Sequence, residues 1–215
     1  MIDITELPGD LQDYIWSKFH SDLRKRMGTI QYHLLKLVLT EANVICVLDW
    51  MAHMLQYPNI KPQKAILLVG PQGCGKNLFA TLLTLLFGHD HVFRTTTLSE
   101  HFNESMEGKT LVHLDGCDIR NELPHIYSLI SDKMFTIRRF GQHPYDVPSY
   151  HRVLLTIEFF SPLLIHSKAF QQHFTIVLCE SVSFSPEEFY GAMNDPIQLA
   201  AFRQHLMERQ VSPEL

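Results

Sequence analysis

The stretch that most constrains the fold is a glycine-rich turn between an apolar run and a run suited to a helix. The apolar run is AILLV, Ala65–Val69, and the turn that follows is GPQGCGK, residues 70–76. The next residues, NLFATLLTLLF, have the composition of a helix. Glycines let successive backbone N–H groups turn inward, and the start of the helix adds its positive end. This strand–turn–helix unit predicts an α/β fold.

The turn predicts a site for the phosphates of a nucleotide, and ATP is the nucleotide that we expect. Gly70, Gly75 and Lys76 match GxxxxGK, in which backbone N–H groups surround the phosphates and the lysine reaches the β- and γ-phosphates. A glycine turn that only connects strand to helix is the alternative, and the complete strand–turn–helix context disfavours it. The predicted nucleotide-binding residues are Gly70, Pro71, Gln72, Gly73, Cys74, Gly75, Lys76 and Asn77.

Two polar side chains are candidates for holding Mg²⁺ beside these phosphates. Asn77 occupies the position that is usually serine or threonine, and its amide oxygen is a neutral hard ligand. Asp115 ends the run TLVHLD and is the acidic residue that a neighbouring strand would supply. An ordinary strand-end aspartate remains the alternative for Asp115.

Hydrolysis also needs a group that orients and deprotonates the attacking water. The residue after Asp115 is Gly116, so the strand supplies no second carboxylate. Asp118 and Glu122 are the nearest acidic residues beyond it. A solvated loop carboxylate is an equally good interpretation of Asp118.

The rest of the pattern predicts an α/β fold in which a P-loop NTPase core has a parallel five-stranded sheet flanked by helices, preceded by an N-terminal helical segment. Two helices are expected within Ile30–Leu55, and Pro186–Met207 is expected to be helical. We divide the chain into a helical segment (1–60), an ATPase core (61–185) and a helical tail (186–215). The predicted strands are Ala65–Val69, a run near Val92, Thr110–Asp115, Arg152–Glu158 and Phe174–Glu180.

Composition limits the function classes. No run reaches the ~18 apolar residues that a membrane span needs, and the first residues lack the order of a secretory signal. The four cysteines form no CxxC pair, which favours a reducing compartment, so we expect a soluble, cytoplasmic protein. With 18 basic against 23 acidic side chains, nucleic acid would have to contact a local patch or an assembled channel rather than a broad basic face.

One local basic patch lies in KMFTIRRFGQHPY. It places Lys133, Arg138 and Arg139 among aromatic residues, a combination that suits single-stranded nucleic acid through phosphate contact and base stacking. Pairing of the two arginines with acidic neighbours across a subunit interface is an equal alternative. A second basic cluster, LRKRMG at Leu23–Gly28, is explained by a solvated helix end.

Taken in this order, the motifs resemble those of superfamily 3 helicases, AAA+ type P-loop ATPases, and in particular the helicase module of viral and phage primase–helicases. LDWMAHMLQYPNIKPQKAILLVGPQGCGKNLF is similar to that family's approach to the loop, including its Lys-Asn ending. LISDKMFTIRRFGQHPYDVPSYHRVLLT is similar to the segment that carries a basic hairpin facing the channel of a hexameric ring. The likeness covers most of the chain. It implies an ATP- and Mg²⁺-dependent helicase that self-associates into a ring on single-stranded DNA, or RNA, during replication of a virus, phage or mobile element.

Three positions depart from the family pattern. Gly116 replaces the second carboxylate of the acidic strand, and Ile157–Phe159 stands where the family has a sensor asparagine. Gln171–His173 stands where the family has an arginine that reaches the neighbouring subunit, with Lys168 the nearest cation. An arginine finger can be worth ~10³–10⁵ in rate, so its loss would matter.

These departures leave the role of Glu158 and the function open. Glu158 is either a solvated strand-end carboxylate or a replacement for the sensor, in which case it is catalytic together with Lys76 and Asp115. The leading hypothesis is an ATP-hydrolysing helicase. The alternatives are a catalytically degenerate nucleotide-binding or scaffolding subunit, and an ATPase that remodels proteins or packages DNA.

Overall fold

A computed structural model describes residues 28–38, 41–98, 101–159, 167–179 and 185–215. Most of the basic cluster Leu23–Gly28, and the beginning of the predicted N-terminal segment, lie outside these residues. The helices are α1 (Thr29–Val38), α2 (Glu41–Gln56), α3 (Lys76–Phe87), α4 (Ile119–Ser131), α5 (Lys168–His173), α6 (Pro186–Asn194) and α7 (Pro196–Glu208). The strands are β1 (Ala65–Val69), β2 (Val92–Thr95), β3 (Leu111–Asp115), β4 (Met134–Ile137), β5 (Tyr145–Pro148), β6 (Arg152–Ile157) and β7 (Phe174–Leu178).

The predicted five-stranded parallel sheet is confirmed, with the strand order β2-β3-β6-β1-β7. Its central strands β1 and β6 are buried along their whole length, as expected for parallel strands covered by helices on both faces. Leu67 of β1 lies opposite Leu155 of β6 and Ile176 of β7. Because the strands are parallel, their carboxyl ends meet at one edge, where ligands of open α/β sheets bind.

Helices cover both faces of the sheet. On one face, Leu68 and Leu154 share a core with Phe79 of α3 and with the helices from both ends of the chain, α1, α2, α6 and α7. On the other face, Leu67 and Leu155 share a core with α4 and α5. The helices that precede the sheet, α1 and α2, and those that follow it, α6 and α7, therefore lie in one layer. No helix in the described ranges is long and apolar enough to cross a membrane.

The predicted C-terminal helix is two helices, and the break has a local cause. Asp195 caps α7 by accepting hydrogen bonds from the backbone N–H groups of Ile197 and Gln198. Pro196 occupies the first turn of α7, where its missing N–H is no loss. Because proline cannot donate a hydrogen bond, it also prevents α6 from continuing.

A buried arginine fixes the connection between α2 and β1. The guanidinium of Arg152, at the start of β6, donates to the carbonyl groups of Tyr57 at 2.5 Å, Pro58 at 2.8 Å, Ile60 at 2.7 Å and Tyr150 at 2.7 Å. Burial lowers the pKa of Arg152 to about 10, so it stays charged at neutral pH. Carbonyl oxygens alone solvate this charge within the described residues, and the fork of donors ties the connection to the sheet.

Strands β4 and β5 form a separate antiparallel hairpin between α4 and β6. Ile137 pairs with Tyr145 at the tip and Met134 pairs with Pro148 at the base. The resemblance implied a basic hairpin in this segment, and the structure has a hairpin here.

Candidate functional site

The glycine-rich turn joins the carboxyl end of β1 to the first residue of α3. Gly73 and Gly75 have φ values of 83° and 103°, a left-handed conformation that side chains other than glycine rarely adopt. Gly70 is required for a different reason: a Cβ there would lie 2.1 Å from the backbone oxygen of Cys179. The Cys179 N–H donates to the Val69 carbonyl at 2.7 Å, so the ends of β1 and β7 are held close together.

Lys76 is folded back onto this turn. Its ammonium donates to the carbonyl oxygens of Gly70 at 2.5 Å and Pro71 at 2.8 Å, and only 9% of the residue is exposed. The neighbouring Asn77 is exposed at the start of α3. A phosphate group entering the turn could replace the two carbonyl oxygens as hydrogen-bond acceptors of Lys76. Because the phosphate oxygens are also charged, the new bonds would add an attraction between opposite charges that the bonds to the carbonyl oxygens lack.

Asp115 lies at the same edge of the sheet and belongs to a chain of hydrogen bonds that the sequence did not reveal. Thr156 of β6 lies opposite it in register and donates through Oγ1 to Asp115 Oδ1 at 2.7 Å. Nε2 of His113 is 2.9 Å from the same hydroxyl oxygen. Because the only hydroxyl proton goes to the carboxylate, His113 Nε2 is the donor in the second bond. Burial lowers the pKa of His113 to about 4, so the ring is neutral at pH 7.

The other oxygen of Asp115 is paired with a cation. Arg94, on the edge strand β2, donates through Nη2 to Asp115 Oδ2, and its side chain is 58% exposed. Burial alone would raise the pKa of Asp115, but the hydrogen bonds from Arg94 and Thr156 and the Arg94 charge outweigh it and hold the pKa below its usual range. Asp115 is therefore ionised. One of its oxygens accepts a hydrogen bond from the Thr156 hydroxyl group, and the other pairs with the exposed guanidinium of Arg94, which a bound cation could replace.

The spacing of the strands suits a nucleotide–metal complex. One strand, β6, separates β1 from β3, so two inter-strand spacings place Asp115 roughly 10 Å from the line of β1. The donor types also fit Mg²⁺, which is held through one or two carboxylates and through phosphate oxygens rather than by a complete protein cage. The residues that could hold it are Asp115 and Asn77.

The three other acidic candidates lie in different surroundings. Glu122 is buried and accepts from the Leu98 N–H at 2.9 Å and from the Thr97 hydroxyl at 2.5 Å. Asp118 caps α4. Glu158 is exposed beyond the end of β6, and its carboxylate has no hydrogen bond or ion pair within the described ranges. Glu122 and Asp118 are thus engaged in local structure, and Glu158 is available to a ligand.

Thr156 is a polar strand-end residue that sequence reasoning missed. The prediction centred on Ile157–Phe159, one residue further along, but the register pairs Thr156 with Asp115. One signal was available, because the threonine is the polar residue in LLTI. Alternation along β6 places it on the opposite face of the sheet from Leu155 and Ile157. The strand order is needed to know which face this is and which residue of β3 Thr156 contacts.

The predicted basic residues of the hairpin have different partners. Arg139 pairs with Glu107, which also accepts from the Tyr145 hydroxyl at 2.9 Å. Its guanidinium lies 5.8 Å from the centre of the Tyr145 ring. An acidic residue of the same chain therefore neutralises Arg139.

Arg138 is exposed at the tip of the hairpin, next to an aromatic pair. Phe140 is 82% exposed, and its ring centre is 5.6 Å from that of Phe102. Asn103 accepts from the Arg138 N–H at 2.7 Å and donates to the Thr136 carbonyl at 3.0 Å, which anchors the tip to the preceding loop. Phe102 was not among the predicted residues because it is far from the hairpin in sequence.

Lys133 lies at the opposite end of the hairpin. It directly precedes β4, and Arg138 directly follows it, so five residues at ~3.3 Å each separate them by roughly 17 Å. The predicted nucleic-acid residues therefore occupy two places, the base and the tip. Near the predicted position of an intersubunit arginine, Gln171, Gln172 and Lys168 are exposed on α5.

Comparisons with known proteins agree with this fold. Residues 68–163, less than half of the chain, match the model of DUF5906, a family of unknown function. No curated protein matches the sequence. The A-form apo structure of the NrS-1 C-terminal region is similar, with a TM-score of 0.72 and 19% identity, over 86% of this chain and 46% of that one. A second apo structure of the same region has a TM-score of 0.69 and 20% identity over the same shares. The chain spans less than half the length of these structures, and the likeness establishes the fold.

Proposed function

We propose that this chain is an ATPase of the superfamily 3 helicase type that moves along single-stranded DNA in a replication system of a virus, phage or mobile element. The observation that carries the proposal is the meeting of the Gly70–Lys76 turn and the ionised Asp115 at the carboxyl edge of one parallel sheet. The likeness in fold to the NrS-1 C-terminal region agrees with an NTPase-like core.

In this proposal each residue at the edge has a defined task. Lys76 leaves the carbonyl oxygens of its own turn and holds the β- and γ-phosphates, while the turn's N–H groups surround them. Asp115 and Asn77 hold Mg²⁺, which neutralises charge on the phosphates when it is bound. Thr156 fixes the orientation of the Asp115 carboxylate, and Glu158 orients the attacking water.

Nucleic acid would contact the hairpin. At the tip, Arg138 offers a phosphate contact and Phe140 offers an exposed ring for base stacking, which is worth about 1–3 kcal/mol per base. Lys133 offers a second phosphate contact at the base. We propose that copies of the chain assemble into a ring, as a hexamer, with these hairpins towards its channel.

An ATPase assay tests the enzymatic part. We expect phosphate release by the parent to rise with single-stranded DNA, and Lys76→Ala to abolish it. Lys109→Ala is the matched control, because Lys109 lies away from the turn and donates to the Asp90 carbonyl. Equal rates for the parent and Lys76→Ala would contradict the proposal.

A nucleotide-binding subunit without efficient turnover is the second candidate. Its support is that Gly116 follows Asp115 and that Glu122 and Asp118 are engaged elsewhere, which leaves Glu158 as the available carboxylate. This candidate predicts that ATP raises the melting temperature or drives oligomerisation without phosphate release, and steady turnover would exclude it. Turnover in a protein that has no affinity for DNA at low salt would instead favour a protein remodeller.

A further inference from the structure

A basic cleft lies at the amino edge of the sheet, opposite the edge that carries the glycine-rich turn. The segments that lead into β1 and β6, the end of α4, and α5 enclose a cleft of about 1260 Å³. This volume exceeds the ~300–1,000 Å³ of a typical small-molecule pocket. Neither the proposed nucleotide site nor the hairpin tip includes this cleft.

The charge of the cleft contrasts with that of the chain. Of the nine lysines in a sequence of net charge −5, four line it, and among the residues that the structure describes no aspartate or glutamate does. They are Lys61, Lys64, Lys133 and Lys168. Because scattered surface charges would include both signs, this concentration favours an anionic ligand.

The four lysines differ in whether their ammonium groups already have partners in the protein. Lys61 is anchored, donating to the carbonyl oxygens of Leu129 at 2.6 Å and Asp132 at 2.5 Å at the end of α4. Burial lowers the pKa of Lys61 to about 8, so most of it is still charged at neutral pH. Lys64, Lys133 and Lys168 are exposed, and within the described ranges their ammonium groups have neither an ion pair nor a hydrogen bond. They are therefore free to contact a ligand.

We propose that this cleft binds the phosphate backbone of single-stranded nucleic acid. Lys64, Lys133 and Lys168 supply phosphate contacts, and the exposed ring of Tyr150 on the cleft wall supplies a stacking surface. Lys133 joins the cleft to the hairpin, since it starts the strand whose other end carries Arg138. A strand bound at the tip thus continues into the cleft at the base. This inference rests on the proposed action on single-stranded nucleic acid.

The test measures binding of a fluorescent oligothymidine of about 20 nucleotides to the full chain at several salt concentrations. A triple variant, Lys64→Gln with Lys133→Gln and Lys168→Gln, should weaken binding roughly tenfold or more at 50 mM salt. The slope of log affinity against log salt should fall by about 2, which is ~0.7 for each of three lost phosphate contacts. A control, Lys109→Gln with Arg120→Gln and Arg203→Gln, removes the same charge elsewhere and should change neither quantity by as much.

The outcomes separate this inference from the proposed function. If the parent and Phe140→Ala differ in binding but the cleft variant behaves like its control, the cleft proposal is wrong, and so is the phosphate contact proposed for Lys133, whereas the contacts proposed at the hairpin tip stand. If the parent does not bind the oligonucleotide at low salt, both are wrong. A cleft variant that dissociates an oligomer while binding DNA normally would assign the cleft to an acidic segment of another copy, and would overturn the proposal. Photo-crosslinking of halogenated DNA to the peptide containing Tyr150 is the positive result expected.

Discussion

At the scale of single residues, the Asp115 carboxylate of the candidate nucleotide site is held by side chains from neighbouring strands. Its carboxylate accepts from Thr156 on one side and from Arg94 on the other, and a neutral His113 supports Thr156 from beneath. Thr156 lies on β6, Arg94 lies on β2 and His113 lies on β3. The orientation and charge of this carboxylate can therefore be changed independently, by substituting one partner at a time.

Thr156→Val should leave ATP affinity in the absence of Mg²⁺ unchanged, because the turn at Gly70–Lys76 is untouched. It should lower Mg²⁺-dependent turnover about 10- to 100-fold, the usual effect of losing a residue that orients a metal ligand. The variant also leaves the His113 donor unpaired, at a cost of roughly 1–3 kcal/mol in unfolding free energy. Thr156→Ser keeps the hydroxyl group and should restore most of the activity. Equal loss in both variants would point to packing rather than to the hydroxyl group.

Arg94→Gln tests whether the guanidinium occupies the position that we propose for Mg²⁺. Without Arg94, Mg²⁺ no longer displaces a cation from Asp115, so less Mg²⁺ should be needed for half-maximal nucleotide binding. An exposed ion pair is worth about 0.2–1 kcal/mol, so the change should be at most about fivefold. A Mg²⁺ titration of nucleotide binding measures it, with Arg120→Gln as the control. A higher Mg²⁺ requirement would show instead that Arg94 positions the carboxylate.

At the scale of elements, the five strands of the parallel sheet were predictable because most of them are short apolar runs followed by a glycine or a polar residue. What the sequence could not supply was their order. The pairing of Asp115 with Thr156, and the reach of Arg94 from the edge strand, follow from the order β2-β3-β6. Side chains that are far apart along the chain become neighbours only when the sheet is assembled. The candidate site was therefore predictable residue by residue along the turn, and unpredictable across the strands.

Gly70→Ala should show how tightly the ends of β1 and β7 approach. The added Cβ would lie 2.1 Å from the Cys179 oxygen, a backbone atom that cannot rotate away. We expect a loss of roughly 3 kcal/mol or more in unfolding free energy, at or beyond the upper end of ordinary overpacking. Urea unfolding measures it. Gly191→Ala is the control: it lies within α6 with open space around it, and should stabilise by about 0.5–1 kcal/mol. Similar effects at both positions would contradict the close approach.

At the scale of the whole molecule, the two edges of the sheet have different chemistry. The carboxyl edge carries the glycine-rich turn and the Asp115 carboxylate, and the amino edge carries the cleft with Lys64, Lys133 and Lys168. Net charge gave no sign of this division, because the acidic residues elsewhere outnumber the basic ones. The cleft was not predictable, since its lysines come from three separate segments that only the fold brings together.

Buried histidines give the molecule a pH-dependent stability, and His151 provides the cleanest measurement. Burial lowers its pKa from 6.5 to about 4, with the Lys61 and Arg152 charges acting in the same direction and a hydrogen bond to the Met106 carbonyl opposing them. Between these values the unfolded chain binds the extra proton. The contribution to stability is thus complete above pH 6.5 and is lost as the pH falls towards 4. This residue alone should remove roughly 2 kcal/mol of unfolding free energy between pH 7 and pH 5.

Urea unfolding of the parent and of His151→Gln at both pH values isolates the contribution of His151, because the remaining histidines contribute equally to both proteins. The variant should lose about 2 kcal/mol less than the parent over this interval, and parallel pH profiles would show that the pKa of His151 is the same in the folded and the unfolded chain.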